Sequence, residues 1–153
     1  MAENDSLRTA LSKAMALCSH REYCTEDIRN KLFSWGISKI DSEKILDTLR
    51  NENFISDIRY SKAFVKDRFT YNKWGKIKIA AYLKNRKIPP PVIKSALDSI
   101  DNEHYMKVLK DLISDHRRVI KAKNQYDLKG KLLRYGLSKG FESELLYDLL
   151  NGM

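Results

Sequence analysis

The chain has 153 residues, enough for one domain or a string of small units sharing a core. Hydrophobic residues make up 42%, which excludes wholesale disorder, and a formal net charge of +9 points to an anionic partner. Between Arg59 and Lys94 eleven Lys and Arg stand against one acid, Asp67, so this segment carries +10 and the rest of the chain −1.

No apolar run reaches membrane-spanning length, and the start "MAENDSLRTA" lacks a basic stretch followed by an apolar one. A soluble protein of the cytoplasm, without a membrane partner, is expected. Glycine is scarce, Lys, Leu, Ala and Glu are plentiful, and β-branched residues form no alternating runs, so the expected fold class is all-α.

In chain order, a leading helix over 7–20 carries Leu7, Leu11, Ala14, Met15 and Cys18 on one stripe. Thr25 before Glu26 and Asp27 reads as a helix N-cap with acids in the first turn. Three stretches, 28–49, 79–97 and 132–150, then share a layout. With Gly36-Ile37, Lys87-Ile88 and Gly140-Phe141 aligned as joints, Ile28 and Leu32, Ile79 and Leu83, and Leu132 and Gly136 fall nine and five residues before the apolar joint residue. Ile93 and Leu97, and Leu146 and Leu150, fall five and nine after it. The first stretch needs about three extra residues to bring in Ile45 and Leu49.

Each stretch therefore reads as helix, joint, helix. Gly36 and Gly140 suit the left-handed position past a helix end. In the middle stretch Lys87 stands there, and the stop is assigned to Pro89, Pro90 and Pro91, the only prolines in the chain, with Pro90 or Pro91 opening the next helix. Asp41 reads as another N-cap. The segment 55–69, capped by Ser56 or Asp57, reads as the third helix of the first unit, and 102–123 takes the same place in the second. The expected organisation is a leading helix over 1–22 and repeats over 23–71, 72–123 and 124–153.

The runs "DIRYSKAFVKDR" (57–68), "GKIKIAAYLKNRKI" (75–88) and "KLLRYGLSKGF" (131–141) resemble the RecX family of bacterial recombination regulators. The resemblance rests on Asp57, Arg59, Tyr60, Ser61, Phe64, Val65 and Arg68, then Gly75, Lys76, Ile77, Leu83 and Ile88, then Lys131, Leu132, Lys139, Gly140 and Phe141. Gly136 departs from it, standing where the family usually has a large apolar residue. The resemblance implies tandem three-helix repeats in an elongated, curved array. It also implies a non-enzymatic regulator that binds the RecA nucleoprotein filament and mainly inhibits its ATPase, strand-exchange and coprotease activities, in DNA repair and the SOS response. A monomer with weak, auxiliary affinity for single- or double-stranded DNA is expected.

Candidate contacts to filament or DNA are Arg59, Lys62, Lys66, Arg68, Lys73, Lys76, Lys84, Arg86 and Lys87, with Arg117, Arg118 and Lys121 as a later cluster. Arg59, Lys62 and Lys66 fall at i, i+3 and i+7 on one helical face. The competing reading is a solvated face that keeps the protein soluble. Phe33, Tyr60, Phe64 and Tyr82 are read as core, while Trp74 and Tyr71 remain open between packing and base stacking. Cys18-x-His20-x₃-Cys24 lacks a fourth ligand, so no metal is expected and Cys18 is read as a buried thiol. No phosphate-binding glycine loop or nucleophile–base pair is present, so no cofactor and no catalysis are expected. The alternative function is a stand-alone basic helical module that binds nucleic acid.

Overall fold

The computed structural model describes residues 2–153, with side chains from residue 5 onward, so the first residue of the expected leading segment lies outside it. The described residues form nine helices and no strand: α1 (Ala2–His20), α2 (Thr25–Ser34), α3 (Lys39–Asn51), α4 (Asp57–Asn72), α5 (Lys76–Asn85), α6 (Pro90–Asp98), α7 (Asn102–Val119), α8 (Gln125–Ser138) and α9 (Ser143–Asn151). The chain exposes 9970 Å². A compact monomer of 17.9 kDa exposes about 8000 Å². The excess is that of an elongated array.

The three expected joints are built alike. Gly36, Lys87 and Gly140 have φ of 79°, 57° and 93°. The next residue, Ile37, Ile88 or Phe141, donates its N–H to the carbonyl five residues back, at 3.0, 3.2 and 3.1 Å. This closes each helix in the left-handed manner usual for glycine. The middle joint is therefore made by Lys87 itself, and the prolines act one step later. Pro89 is the extended N-cap of α6, and Pro90 and Pro91 fill its first two positions, where no N–H is needed. Ser38 and Glu142 hold the same cap position in α3 and α9.

The register after the joint is also common, which removes the three extra residues expected in the first stretch. Ser42 and Leu46, five and nine after Ile37, are buried like Leu146 and Leu150 after Phe141. The additional length of α3 lies at its far end.

The helices group in another phase than the spacing suggested. Helix α4, expected to close a unit over 23–71, packs chiefly on α6 and also on α5. Its buried Phe64, Val65 and Phe69 share a core with Ile79, Leu83, Ile93 and Ala96. Ala10 and Ala14 of α1 instead join Ile28, Leu32, Ile45, Leu46 and Leu49 of α2 and α3. Each hairpin thus packs with the helix before it, giving α1–α3, α4–α6 and α7–α9. The core of α4–α6 continues through Tyr105, Leu109, Leu132, Phe141, Leu146 and Leu150 of the last group, while α1–α3 has its own.

Candidate functional site

Much of the central charge is engaged within the chain, where the first group meets the second. Asp57, at the start of α4, accepts the Thr25 N–H at 2.8 Å and so satisfies a free donor at the start of α2. Arg59 places Nε between both carboxylate oxygens of Glu22, at 2.7 and 2.9 Å, and donates Nη2 to the Asn53 carbonyl at 3.1 Å. Arg86 pairs with Asp27 and donates to Tyr82 Oη at 2.7 Å. Lys87 lies 3.4 Å from Glu26, which is nearly buried and also pairs with Arg29 at 2.8 Å. The two acids that open α2 thus accept cations from the α5–α6 joint.

A cleft of about 330 Å³ at this junction is lined by Arg21, Arg68 and Arg86 together with Glu22, Asp27 and Asp67. Opposite charges there are equal in number, so it offers no surplus for an anion. Burial, then the nearby Asp27 carboxylate, pushes the Tyr60 hydroxyl in its wall up to about 12.

The second junction is made by backbone. The Gly75 N–H donates to the Lys139 carbonyl at 2.7 Å, and the Ile77 N–H to that of Gly140 at 2.9 Å. A Cβ on Gly75 would sit 2.3 Å from the Gly140 oxygen, and one on Gly140 2.2 Å from Lys78 Cβ, so only glycines permit this approach. Tyr105 Oη accepts the Lys76 N–H at 3.0 Å and donates to Glu142. Burial, then that carboxylate, drives the Tyr105 hydroxyl far above the ordinary tyrosine range. Lys139 donates to the Asn72 carbonyl at 2.8 Å, and burial, then Lys78, lowers its ammonium below the usual lysine value. Gly136 leaves room for Leu146, whose Cδ2 would lie 2.3 Å from a Cβ there, which accounts for its departure from the family pattern.

The candidate residues divide accordingly. Arg59, Arg86 and Lys87 are tied up at the first junction. Arg68 lies over the Phe64 and Trp74 rings at 5.2 and 5.5 Å and donates to Asn72 at 3.1 Å. Lys73 turns back onto the Thr70 carbonyl at 2.9 Å, and Lys76 lies 4.8 Å from the Tyr105 ring. Lys62, Lys66 and Lys84 are exposed with no ion pair among the described residues, the first two one turn apart on α4. Arg117 at the end of α7 and Lys121 in the connection after it are exposed, in the third group, and Arg118 is 3.9 Å from Asp115. The face expected for Arg59, Lys62 and Lys66 therefore keeps two free cations.

Among the aromatics, Tyr60, Phe64, Trp74 and Tyr82 form one cluster, with Phe64 and Tyr82 stacked at 4.4 Å. Phe33 is 81% exposed, against its expected place in the core, because Leu32 takes the buried position beside it. Tyr71 is 78% exposed. Cys18 is half-buried, and Cys24 is the fully buried thiol. Cys24 rather than Thr25 caps α2, its Sγ accepting the Asp27 N–H at 3.4 Å, and Ser38 rather than Asp41 caps α3. Tyr126, 90% exposed, and Tyr147, 52% exposed, received no role from the sequence. No helix among the described residues is long and apolar enough to cross a membrane.

Among the described residues, nine helices in three groups, spliced by ion pairs at one junction and by backbone at the other, define an all-α tandem array of three-helix units. The family model for the second three-helix domain of RecX matches residues 56–97, the span of α4–α6. The regulatory protein RecX of Mannheimia succiniciproducens is 32% identical over 145 residues, 92% of each chain. That of Clostridium beijerinckii is 28% identical over 152 residues, 98% of this chain and 70% of that protein. Two crystal structures share the fold: a regulatory protein RecX, with TM-score 0.89 and 23% identity over 99% of this chain and 74% of the other, and RecX from Lactobacillus salivarius, with 0.85 and 17% over 97% of each. The chain belongs to the RecX family of regulatory proteins.

Proposed function

We propose that this chain is a cytoplasmic, monomeric regulator that binds the RecA nucleoprotein filament along its helical groove. It modulates, mainly by inhibition, the filament's ATPase, strand-exchange and coprotease activities, and so acts in DNA repair and the SOS response without catalysing a reaction itself. Family membership supports this reading. The observation that carries it is the free pair Lys62 and Lys66 on the outer face of α4, in an elongated array whose other central cations are mostly engaged internally. An extended basic body suits a long anionic polymer, because many weak charge contacts add along its length.

The test is single-stranded-DNA-dependent ATP hydrolysis by the cognate recombinase with and without this protein. The expected result is strong inhibition by wild type and weak inhibition by Lys62→Glu/Lys66→Glu at unchanged helicity. Unaltered hydrolysis at a several-fold excess of wild type refutes the proposal.

A second reading is a stand-alone nucleic-acid-binding module, and the exposed Tyr71 between Lys66 and Lys73 favours it, since such a ring can stack on a base. It requires tight binding to naked DNA or RNA with a steep salt slope. Filament binding far stronger than naked-DNA binding decides for the first.

A further inference from the structure

Two grooves in the outer surface occupy equivalent places in successive units. One, of about 480 Å³, lies between α5 and α6, and the other, of about 410 Å³, between α8 and α9. Lys76, Ala80, Lys94 and Leu97 of the first groove stand 53 residues before Lys129, Leu133, Tyr147 and Leu150 of the second. The same offset relates the two joints, Ile88 and Phe141. The grooves are thus one feature of the repeat, used twice.

Both have an apolar floor and a basic rim. Ala80, Ala81, Ile93 and Leu97 floor the first groove, and Lys76, Lys84 and Lys94 edge it with Asp98 as the one acid, 3.3 Å from Lys94, so that Lys76 and Lys84 carry the surplus. Leu133, Leu150 and the exposed rings of Tyr126 and Tyr147 line the second, with Lys129 and Arg134 against Asp127.

The first unit shows the same place closed. Arg29 holds the position of Ala80 and Leu133, counted back from the joint, and Glu43 that of Lys94 and Tyr147, counted forward from it. They meet at 3.0 Å across the face of α2 and α3. The hydrogen bond to Glu43 is the largest of the influences that raise the Arg29 guanidinium further. Packing alone therefore does not leave this face open, since one residue pair at these two positions bridges it.

We propose that the α5–α6 and α8–α9 grooves each receive the same acidic-flanked apolar segment, presented once by each subunit of the protein filament that this chain regulates. This rests on the function proposed above and names what is recognised. Apolar side chains of the segment would cover the floor, and its carboxylates would meet the lysine rim, in the manner of an amphipathic helix laid in a groove. A repeating partner answers a repeated groove. Two weak sites on units that share one core then bind tightly, because the second engagement is intramolecular.

The test transplants the first unit's closure. Ala80→Arg/Lys94→Glu closes the first groove and Leu133→Arg/Tyr147→Glu the second, in the full chain, with circular dichroism to check folding. Binding is measured to RecA filament assembled on single-stranded DNA and, separately, to that DNA alone. Closing either groove is expected to weaken filament binding at least about tenfold, closing both to weaken it further, and neither to change binding to naked DNA.

Groove-closed variants that fold and bind the filament as wild type does, while Lys62→Glu/Lys66→Glu does not, overturn the grooves and leave the proposed function standing. Loss of naked-DNA binding on closure overturns the protein segment as occupant. A wild-type chain that fails to bind the filament overturns both proposals together.

Discussion

Replacing Gly140 by alanine tests the backbone junction between the second and third units, with Gly36→Ala as the reference. Both positions lie past the end of a helix at positive φ, 93° and 79°. An alanine there costs about 1–2 kcal/mol. At Gly36 the new methyl meets nothing within 4 Å, so this is the whole cost, less a few tenths regained from a stiffer unfolded chain. At Gly140 the methyl would lie 2.2 Å from Lys78 Cβ and 2.8 Å from the Lys78 nitrogen. The strands of chain must part, and the Gly75–Lys139 and Ile77–Gly140 hydrogen bonds go with them. At about 0.5–1.5 kcal/mol each, these bonds bring the total to roughly 2–5 kcal/mol, a large share of the 5–15 kcal/mol of a typical domain. Gly75→Ala, at an ordinary φ of −77°, isolates the collision, with its methyl 2.3 Å from the Gly140 oxygen.

The assay is urea unfolding followed at Trp35, in the first unit's core, and at Trp74, in the second's. Gly140→Ala and Gly75→Ala should lower the Trp74 midpoint, and Gly36→Ala the Trp35 midpoint by less. Gly140→Ala equal to Gly36→Ala within about 0.5 kcal/mol would refute the tight junction.

Three further outcomes are expected. Burial pushes the Cys24 thiol up to about 12, against about 8.5 when unfolded. Its contribution to stability is therefore complete below about pH 8.5 and is lost as pH rises toward 12. The urea midpoint of wild type should fall between pH 8 and pH 10.5 more than that of Cys24→Ala, and an equal fall in both refutes the assignment. At Lys87, with φ of 57°, glycine should be about 1 kcal/mol more stable than alanine, the reverse of their order inside helices, as measured by thermal unfolding. Tyr105→Phe removes the acceptor of the Lys76 N–H and the donor to Glu142, and should cost about 1–3 kcal/mol by urea unfolding.

The sequence made the hairpins legible because their signals are local. A helix stripe of spacing four, a glycine or its substitute, and an apolar residue after it recur within about twenty residues. The alignment placed the middle joint at Lys87-Ile88, but the stop was credited to the prolines, although the left-handed turn at Lys87 precedes them. What the spacing could not give is which neighbour a stripe faces. The stripe of α4 is equally consistent with packing backward or forward, and only the shared core with Ile79, Leu83 and Ile93 decides it.

The same holds for charge. Arg59 sits on a helical face with Lys62 and Lys66, but Glu22, 37 residues earlier, claims it. Phe33 shows the complementary failure, since an aromatic residue beside a buried leucine reads as core and points outward. The two grooves were within reach of the sequence. The 53-residue offset that aligns the joints also aligns their walls, and comparing the outer positions as well as the apolar ones would have exposed Arg29 and Glu43 as the odd pair.

Several of the residues that carry the family resemblance turn out to hold the units together. Asp57 caps the preceding group, Arg59 ties it down, Gly75 and Gly140 touch, Lys139 bonds across to Asn72, and Ile88 and Phe141 close the joints. A motif of this kind reports the geometry of an array more than the chemistry of its surface. The pattern therefore predicts shape more than recognition, which falls chiefly on residues outside it, on faces that the junctions leave free, with Lys76 on the rim of the first groove as the exception. Lys62 and Lys66, and the groove residues Ala81, Lys94 and Tyr147, lie outside the pattern and are exposed. Substituting the pattern residues should change stability and the relative placement of units, and with them every activity at once. Substituting the second set should change binding at constant stability. If Arg59→Ala lowered filament inhibition at unchanged unfolding midpoint, the division between splice and surface would fail at its most central residue.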